Sequence, residues 1–442
     1  MEVSPDTKIY DAPRPASDGA TEQLELSALS SRTDAPMSGL IVEQTASQRR
    51  TELIRFCALL VEFFLIGWQD GSIGPLLPTI RAHFGLGFMQ ASTLFILQCC
   101  GAALGSFTIF FMLDKLGFGK TLVLGAVLHA IATAVQASAP PFPAFAICSF
   151  IVGIGMSFGE ATGNGYVGSL KRNGSRKMGL LHAAYGLGAF AAPLAATSFA
   201  AFSGRKWAFL YIVTAGIAVC AAIVNSVVFR FMRQEVLFKE TNEPQHFEDV
   251  PGEHEGTNFD RLKAVLKMPL IHYLALYIGI YLNLAGWVVT FIIDERHGGP
   301  DAGYISAGFF GGLMLGRVIL LPLNSWVGER RIIFFYAVLT LMLDVIIWRV
   351  PSLIGNAVAV GLVGLLLRHE AGRVLPPRLL AGAVGYISGF GIIGGAIVPF
   401  ITGALATKFE IKIMPIVVLI MTTIMIGVWA LALRSTRKPK AD

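Results

Sequence analysis

The chain has 442 residues, of which 54% are hydrophobic and only 14% are charged, and its mean hydropathy is +0.64. Soluble domains carry about 25% charged residues, so these totals exclude an ordinary soluble protein. The formal net charge is +6, but no basic run interleaves with aromatic residues, and the charge therefore indicates no nucleic-acid partner. The apolar residues fall in long blocks, which is typical of a helical protein with several membrane spans.

Residues 1–50 are polar and contain no apolar block, which predicts a disordered cytoplasmic tail and no signal peptide. Twelve apolar segments follow, and a polar stretch at 231–268 divides them into two sets of six. The segments cover approximately 54–80, 89–112, 120–139, 143–169, 179–202, 206–230, 269–293, 302–326, 331–350, 352–367, 379–406 and 412–434. The sequence thus predicts an all-α membrane protein with twelve transmembrane helices.

The predicted domains follow from these boundaries: the tail 1–50, an N-terminal half at 51–230, a cytoplasmic linker at 231–268, a C-terminal half at 269–434 and a tail at 435–442. Lys and Arg concentrate in the loops on the N-terminal side, which predicts that both termini are cytoplasmic. The tenth segment, 352–367, would rise only about 24 Å as a helix, which is short of the hydrocarbon core.

The loop after the second span carries a charged motif that fits a gate. Its residues Asp114, Lys115, Gly117 and Lys120 match the pattern Gly-x-x-x-Asp-Arg/Lys-x-Gly-x-Arg/Lys-Arg/Lys, although Phe110 replaces the first glycine. An Asp at a helix end can accept hydrogen bonds from a neighbouring helix and pair with basic residues, which would make a breakable latch. The alternative is a charged interfacial loop that only sets topology.

Twelve spans in two sets of six, with this loop, resemble the major facilitator superfamily. A closer resemblance, to the fucose-permease-like branch and to its fungal members of the bypass-of-stop-codon type, rests on five segments. These are Gly67–Pro78, Glu160–Asn164, His182–Ala189, Gly308–Arg317 and Gly391–Gly403. The resemblance implies the major facilitator fold, two six-helix halves around a central cavity, and transport of a small polar solute, with sugars favoured.

Glu160 lies deep in the fourth apolar segment, where an ionisable group costs roughly 2.5–3.5 kcal/mol or more. Ser157, Glu160 and Asn164 are spaced i, i+3, i+7 and share one helical face. In sugar–proton symporters of the resembled branch, a Glu at this place carries the proton and an Asn at the place of Asn164 lies near the sugar. Glu160 is therefore the first candidate for proton coupling and Asn164 for solute binding; the alternative is a structural hydrogen bond to another helix.

The first span offers Glu62, Gln69 and Asp70. Glu62 and Gln69 are seven residues apart and face together, whereas Asp70 lies about 80° away. Asp70 and Glu62 are further candidates for proton coupling and Gln69 for solute binding. Asp70 lies about one turn before the acid of the resembled symporters, so that role does not transfer to it; the alternative for Glu62 is an intraprotein salt bridge.

The remaining candidates for solute binding are polar residues within apolar segments. His182 and Tyr185 share a face of the fifth span, and Tyr281 stands where the fungal relatives often carry Glu. Asn283 and Trp287 share another face of the seventh span, and an amide beside a flat ring suits a polyol. The full set is Asn164, Gln69, Gln98, His182, Tyr185, Asn283, Trp287 and Tyr281. Packing within the protein is the alternative for each.

Arg317 lies within the eighth span, where a buried Arg needs an acid or a row of carbonyl groups. We group it with the gating motif, while a structural role is the alternative. The five cysteines show no metal-ligand spacing and no nucleotide-binding loop is present, so no metal, cofactor or enzymatic activity is expected.

The sequence predicts a multi-pass secondary active transporter that moves a small polar, sugar-like solute with protons by alternating access. Its partners would be protons, a small polar solute and the lipid bilayer, with the plasma membrane favoured over vacuolar and other internal membranes. The alternatives are a transporter-like membrane sensor without turnover, or a proton-driven exporter of a metabolite or drug.

Overall fold

The computed structural model describes residues 44–243, 269–320, 323, 326–367 and 377–435; side chains are not described at 269–270, 318, 329–330, 377–392 and 432–435. The described residues contain twelve helices of 14 residues or more, which we number in chain order. The first half contains α1 (Ala46–Phe84), α2 (Phe88–Leu116), α3 (Phe118–Ala137), α4 (Phe142–Gly168), α5 (Gly174–Ala200) and α6 (Leu210–Phe229). The second half contains α7 (Pro269–Arg296), α8 (Tyr304–Ile319), α9 (Glu329–Arg349), α10 (Leu353–Leu366), α11 (Pro377–Phe409) and α12 (Met414–Ser435).

Among the described residues, eight helices are long and apolar enough to cross a membrane by length and composition alone. Helix α10 is not one of these, because it has only 14 residues. The short tenth span expected from the sequence is therefore present, and the chain leaves helical geometry at Leu367.

The two halves repeat the same helix pairings. In the first half α1 packs on α5, α2 on α4 and α3 on α6; in the second half α7 packs on α11, α8 on α10 and α9 on α12. The halves meet through α2 with α11, α5 with α8, and α1 with α7. Adding six to each helix number converts one half's pairings into the other's, which confirms the predicted architecture of two six-helix halves.

Glycines permit the closest helix pairs. A Cβ atom on Gly67 of α1 would lie 1.9 Å from the carbonyl oxygen of Tyr185 on α5. In the second half, a Cβ on Gly312 of α8 would lie 2.2 Å from the carbonyl oxygen of Gly361 on α10. Backbone therefore meets backbone at these crossings, which any larger residue would push apart.

Two predicted boundaries differ from the structure. Helix α1 begins at Ala46, within the predicted tail 1–50, because Thr45 and Gln48 form a capping box at its start. The start of the predicted linker also folds: Gln234–Glu240 is a short helix that buries Leu237 and Phe238 against the first half. The tail residues 1–43, the linker residues 244–268 and the residues 436–442 lie outside the described part of the chain.

Ion pairs fasten this short helix to the first half. Arg55 of α1 bonds the carboxylate of Glu240 and donates to the carbonyl of Leu237 at 2.8 Å. Glu243 is buried and accepts from the backbone amides of Lys171 and Arg172, at 2.6 and 3.1 Å. The first ten or so residues of the linker are thus part of the N-terminal half.

Candidate functional site

A cavity of about 370 Å³ lies between the two halves. Its walls come from α1, α2, α4 and α5 of the first half and from α7 and α8 of the second. The polar residues that line it are Asp70, Gln98, Ser157, Glu160, Asn164, His182, Tyr185, Tyr277, Tyr281 and Arg317. The cavity therefore brings together eight of the predicted site residues: Glu160, Asp70, Asn164, Gln98, His182, Tyr185, Tyr281 and Arg317.

The two ends of the helix bundle differ in the contacts between the halves. We call the end at which α1 begins and α2 ends the amino-terminal face, and the other end the opposite face. At the opposite face the halves touch: Arg81 pairs with Asp294 at 3.5 Å, and the Thr407 hydroxyl bonds the Met89 amide at 3.3 Å. Deeper in the bundle, α7 packs directly on α1: a Cβ atom built on Gly74 would lie only 2.1 Å from the carbonyl oxygen of Ala285. The opposite face is therefore closed.

The fourth helix presents Ser157, Glu160 and Asn164 to the cavity, as their spacing predicts. Within the described residues, Glu160 has no hydrogen-bond or ion-pair partner, and its side chain is exposed to the cavity. The Oδ1 atom of Asn164 is buried and also lacks a partner there. This wall thus offers one carboxyl group that water can reach and one amide oxygen that needs a donor.

Glycines on the other side of α4 hold this wall in place. Gly159 packs on the Glu62 carboxylate and Gly163 on the ring of Phe63, both from α1. A Cβ at Gly159 would lie 2.3 Å from Oε1 of Glu62, so a larger residue there would displace the Glu62 side chain. The residue next to Glu160 is therefore fixed by direct contact with α1.

Asp70 of α1 binds side chains from two other helices. Its carboxylate accepts from Gln98 Nε2 of α2 at 3.2 Å and from the hydroxyl of Tyr185 of α5 at 2.8 Å. The Tyr185 hydroxyl also bonds the hydroxyl of Tyr281 on α7, at 2.7 Å. A chain of hydrogen bonds thus runs from the first half to the second at the inner end of the cavity.

Arg317 of α8 is the cation of the described cavity wall. Its guanidinium donates to the carbonyl oxygen of His182 on α5 at 2.8 Å and so joins the two halves. The His182 ring packs edge-on against Phe63, with ring centroids 5.9 Å apart. The contact to a carbonyl group is one of the two partners expected for a buried arginine.

Four of the residues predicted for proton coupling or solute binding do not line the cavity. Glu62 points into the first half, where it accepts from Asn225 Nδ2 at 2.9 Å, and Gln69 bonds His129 Nε2 at 3.3 Å. Trp287 packs on Phe88 and Phe95 of α2 and donates to the carbonyl oxygen of Pro399 at 3.0 Å. Asn283 is fully buried outside the cavity lining, and its amide has no partner among the described residues. These positions place the four side chains in packing contacts away from the cavity.

The loop of the gating motif joins α2 to α3 at the amino-terminal face. Gly117 has φ +80°, which favours glycine, and the Arg233 side chain packs against it. Asp114, Lys115 and Lys120 are exposed, and the Lys115 ammonium lies 4.2 Å from the centre of the Phe111 ring. In the described part of the chain, the Asp114 carboxylate contacts no basic side chain.

Much of the apolar lining of the cavity was not predicted from the sequence. Phe63, Ile66, Met156, Leu274 and Leu313 line the cavity with Tyr277, and none was a candidate. Tyr277 could have been found, because it shares the face of α7 that carries Tyr281. The apolar residues have no signal in the sequence that separates them from lipid-facing or core positions.

Comparison with known proteins identifies the fold. A family model for the Major Facilitator Superfamily matches residues 59–368. The chain belongs to the Major Facilitator Superfamily. This membership confirms the family expected from the sequence and places the protein among the integral, multi-pass transporters of that superfamily.

Similar members of the superfamily come from a yeast and a bacterium. Bypass of stop codon protein 6 of Saccharomyces cerevisiae is 25% identical over 422 residues, which are 86% of this chain and 82% of that protein. A glucose/galactose transporter of Brucella abortus is 23% identical over 423 residues, 87% of this chain and 96% of that protein. The crystal structure of a D-xylose-proton symporter matches with a TM-score of 0.67 at 11% identity, covering 85% of this chain and 97% of that one, which shows a shared fold.

Proposed function

We propose that this superfamily member is a proton-coupled transporter of a small polar, sugar-like solute that works by alternating access. The observation that carries the proposal is Glu160: an acid inside a membrane-spanning helix that faces the cavity and has no partner among the described residues. Such an acid can take up a proton from water and release it again, which a structural acid bonded to the protein does less readily. The glucose/galactose transporter and the D-xylose-proton symporter support sugars as the solute class.

The cavity wall supports a polar ring as the solute. The unpartnered Asn164 oxygen accepts a hydroxyl donor, Gln98 and Arg317 offer donors, and the rings of Tyr277 and Tyr281 provide flat apolar contacts. Several polar groups on a mostly apolar wall are typical of sites for small molecules. Hydroxyl groups of the solute would form hydrogen bonds with these polar side-chain atoms in place of water.

The proposed cycle follows from the two ends of the cavity. Basic residues at the amino-terminal face, including Lys115, Lys120, Lys171 and Lys177, support a cytoplasmic location for it, so the cavity described here would open to the cytoplasm. When the halves rock to open the opposite face, Glu160 takes a proton and the solute binds beside it. Return to the present state releases both to the cytoplasm.

Uptake into proteoliposomes tests this proposal. We expect D-glucose, D-galactose or D-xylose to accumulate when a proton gradient is imposed, and a protonophore to abolish the accumulation. In Glu160→Gln, solute exchange without a gradient should persist while gradient-driven accumulation is lost. Unchanged accumulation in Glu160→Gln would remove this residue from coupling, and binding without flux in the wild type would favour the sensor.

Asp344→Asn is the matched control. Asp344 of α9 is also a buried membrane acid, but it lies outside the cavity lining and accepts from the Thr422 hydroxyl at 3.2 Å. An asparagine oxygen can accept the same bond, so we expect gradient-driven accumulation to persist. Loss in both variants would indicate a general effect of removing a buried acid.

A further inference from the structure

The two tyrosines at the inner end of the cavity form a bridge with a defined hydrogen-bond direction. Gln98 donates to one oxygen of Asp70 and Tyr185 donates to the other. The single hydroxyl proton of Tyr185 is used in that bond, so Tyr185 accepts in its bond with Tyr281. The chain therefore runs Tyr281 to Tyr185 to Asp70, each hydroxyl donating toward the carboxylate.

Asp70 and Tyr185 belong to one rigid body. The Tyr185 carbonyl oxygen packs on Gly67, the Ala189 carbonyl oxygen packs on Gly71, and Gly188 packs on the Phe64 carbonyl oxygen. These contacts join the backbones of α1 and α5 on both sides of Asp70. When the halves move, the bond that must change is the one from Tyr185 to Tyr281.

Among the described residues, the bridge is one of two polar links between the halves at the cavity, the other being Arg317 with the His182 carbonyl. Toward the opposite face, α7 also contacts the first half at Ala285 with Gly74 and at Gly286 with Phe95. The Tyr281 ring is held within the second half by Phe309 and Phe310, with centroids 5.9 and 6.0 Å away. Tyr281 therefore follows the second half when the opposite face opens.

We propose that Tyr281 is a positioning residue through which the second half responds to the proton on Asp70. The inference rests on the alternating access of the proposed function. While Asp70 is ionised, the chain ends on a charged acceptor, and hydrogen bonds to charged groups are about twice as strong as neutral ones. Protonation removes that charge and weakens the bridge, and the state open at the amino-terminal face loses stability.

Several other groups that can carry charge face the same space, and the test must separate them from Asp70. They are Cys99 of α2, Glu160 of α4, His182 and Tyr185 of α5, Tyr277 and Tyr281 of α7, and Arg317 of α8. Glu160 is the other acid among them, so all measurements use the Glu160→Gln background. His182 and Arg317 are present in every variant, so their contribution is the same throughout.

The experiment measures the separation of the halves without solute. Nitroxide labels at Ser175 of α5 and Ile319 of α8, both exposed near the amino-terminal face, report that distance by pulsed electron paramagnetic resonance. The five native cysteines are replaced first. As the pH is raised through the ionisation of Asp70, we expect the ratio of open to closed amino-terminal faces to rise about ten-fold.

Added to this background, Tyr281→Phe should abolish the rise, because it removes the donor and keeps the packing ring. Tyr185→Phe should also abolish the rise, because it removes the middle hydroxyl of the hydrogen-bond chain. Asp70→Asn should do so because it removes the carboxylate at the end of that hydrogen-bond chain. Tyr277→Phe is the matched control: its hydroxyl, one turn away on α7, donates at 3.4 Å to the Leu367 carbonyl of its own half, so the rise should persist.

Three results would overturn the proposal: no pH-dependent rise in the Glu160→Gln background, a full rise in Tyr281→Phe, or an equal loss in Tyr277→Phe. The outcome is independent of transport, because the distance requires neither solute nor flux. A failure of sugar accumulation would therefore count against the proposed function alone, and a missing pH response would count against the bridge alone.

Discussion

Four acids lie within the apolar stretches of the described membrane-spanning helices, away from the helix ends, and their surroundings divide them into two pairs. Glu62 and Asp344 are 1% exposed and each accepts from a single side chain, Asn225 or Thr422. Asp70 and Glu160 border the cavity, where water and solute can reach them. Only the second pair has the access that proton exchange during a transport cycle requires.

Asn225→Ala tests the structural role of Glu62. The substitution leaves the Glu62 carboxyl group buried without its partner, so we expect the free energy of unfolding to fall by about 1–3 kcal/mol. Thermal unfolding in detergent measures the change. The control is Ser226→Ala, whose hydroxyl bonds only the Ala222 carbonyl of its own helix; an equal loss there would contradict the role given to Asn225.

Helical spacing predicted much of the site at this scale. It placed Glu62 and Gln69 together and Asp70 apart, and it placed Ser157, Glu160 and Asn164 on one face. It could not tell which of these faces borders the cavity. That depends on Asn225 and His129, which lie 163 and 60 residues away from their partners and reach them only through the packing of α6 and α3 on α1.

Helices α1 and α5 pack so closely that their backbones touch. Gly67 and Gly71 on α1 and Gly188 on α5 each face a carbonyl oxygen of the other helix. This pair carries Asp70, His182 and Tyr185 to the cavity, so its spacing sets their positions.

Gly67→Ala should separate this pair. The new Cβ would lie 1.9 Å from the Tyr185 carbonyl oxygen, and neither backbone can yield without a shift of a helix. We expect the free energy of unfolding to fall by about 1–3 kcal/mol, and thermal unfolding in detergent measures the change. Gly216→Ala on α6, where a Cβ would meet nothing within 4 Å, should be neutral or gain up to about 1 kcal/mol. Equal effects at the two glycines would exclude helix contact as the cause.

The number, order and approximate bounds of the helices could be predicted from apolar blocks, including the short α10. The start of α1 could not, because the polar residues Gln48, Arg49 and Arg50 read as tail until the capping box of Thr45 is considered. The folded start of the linker could not be predicted either, because Leu237 and Phe238 are only two apolar residues in a polar stretch. The residues that bury them are remote in sequence: Phe118, Tyr166 and Phe229.

At the scale of the whole molecule, two repeated halves touch at the opposite face. The contacts at Arg81–Asp294, Thr407–Met89 and Gly303–Thr197 all lie at the closed end. Because both halves are internally packed through the same pairings, motion between them costs fewer contacts than motion within them.

A disulfide across the closed end should lock the protein in the present state. A Cβ on Gly303 would lie 3.1 Å from the Cβ of Thr197, close to the roughly 3.5–4.5 Å of a disulfide. In a background without native cysteines, oxidised Thr197→Cys/Gly303→Cys should lose transport in proteoliposomes and regain it on reduction. Each single-cysteine variant should be insensitive to oxidant. Full transport in the cross-linked protein would argue against opening at this face.

The 14 residues of α10 rise about 21 Å, whereas the surrounding hydrocarbon is about 30 Å thick. Its residues Ile354, Val358 and Leu362 form an exposed stripe along the outer side, so this mismatch meets lipid directly. Acyl chains beside α10 must shorten or tilt, at a fraction of a kcal/mol for each ångström. We therefore expect the bilayer to thin on one flank of the second half, and the rocking equilibrium to respond to the chain length of the surrounding lipids.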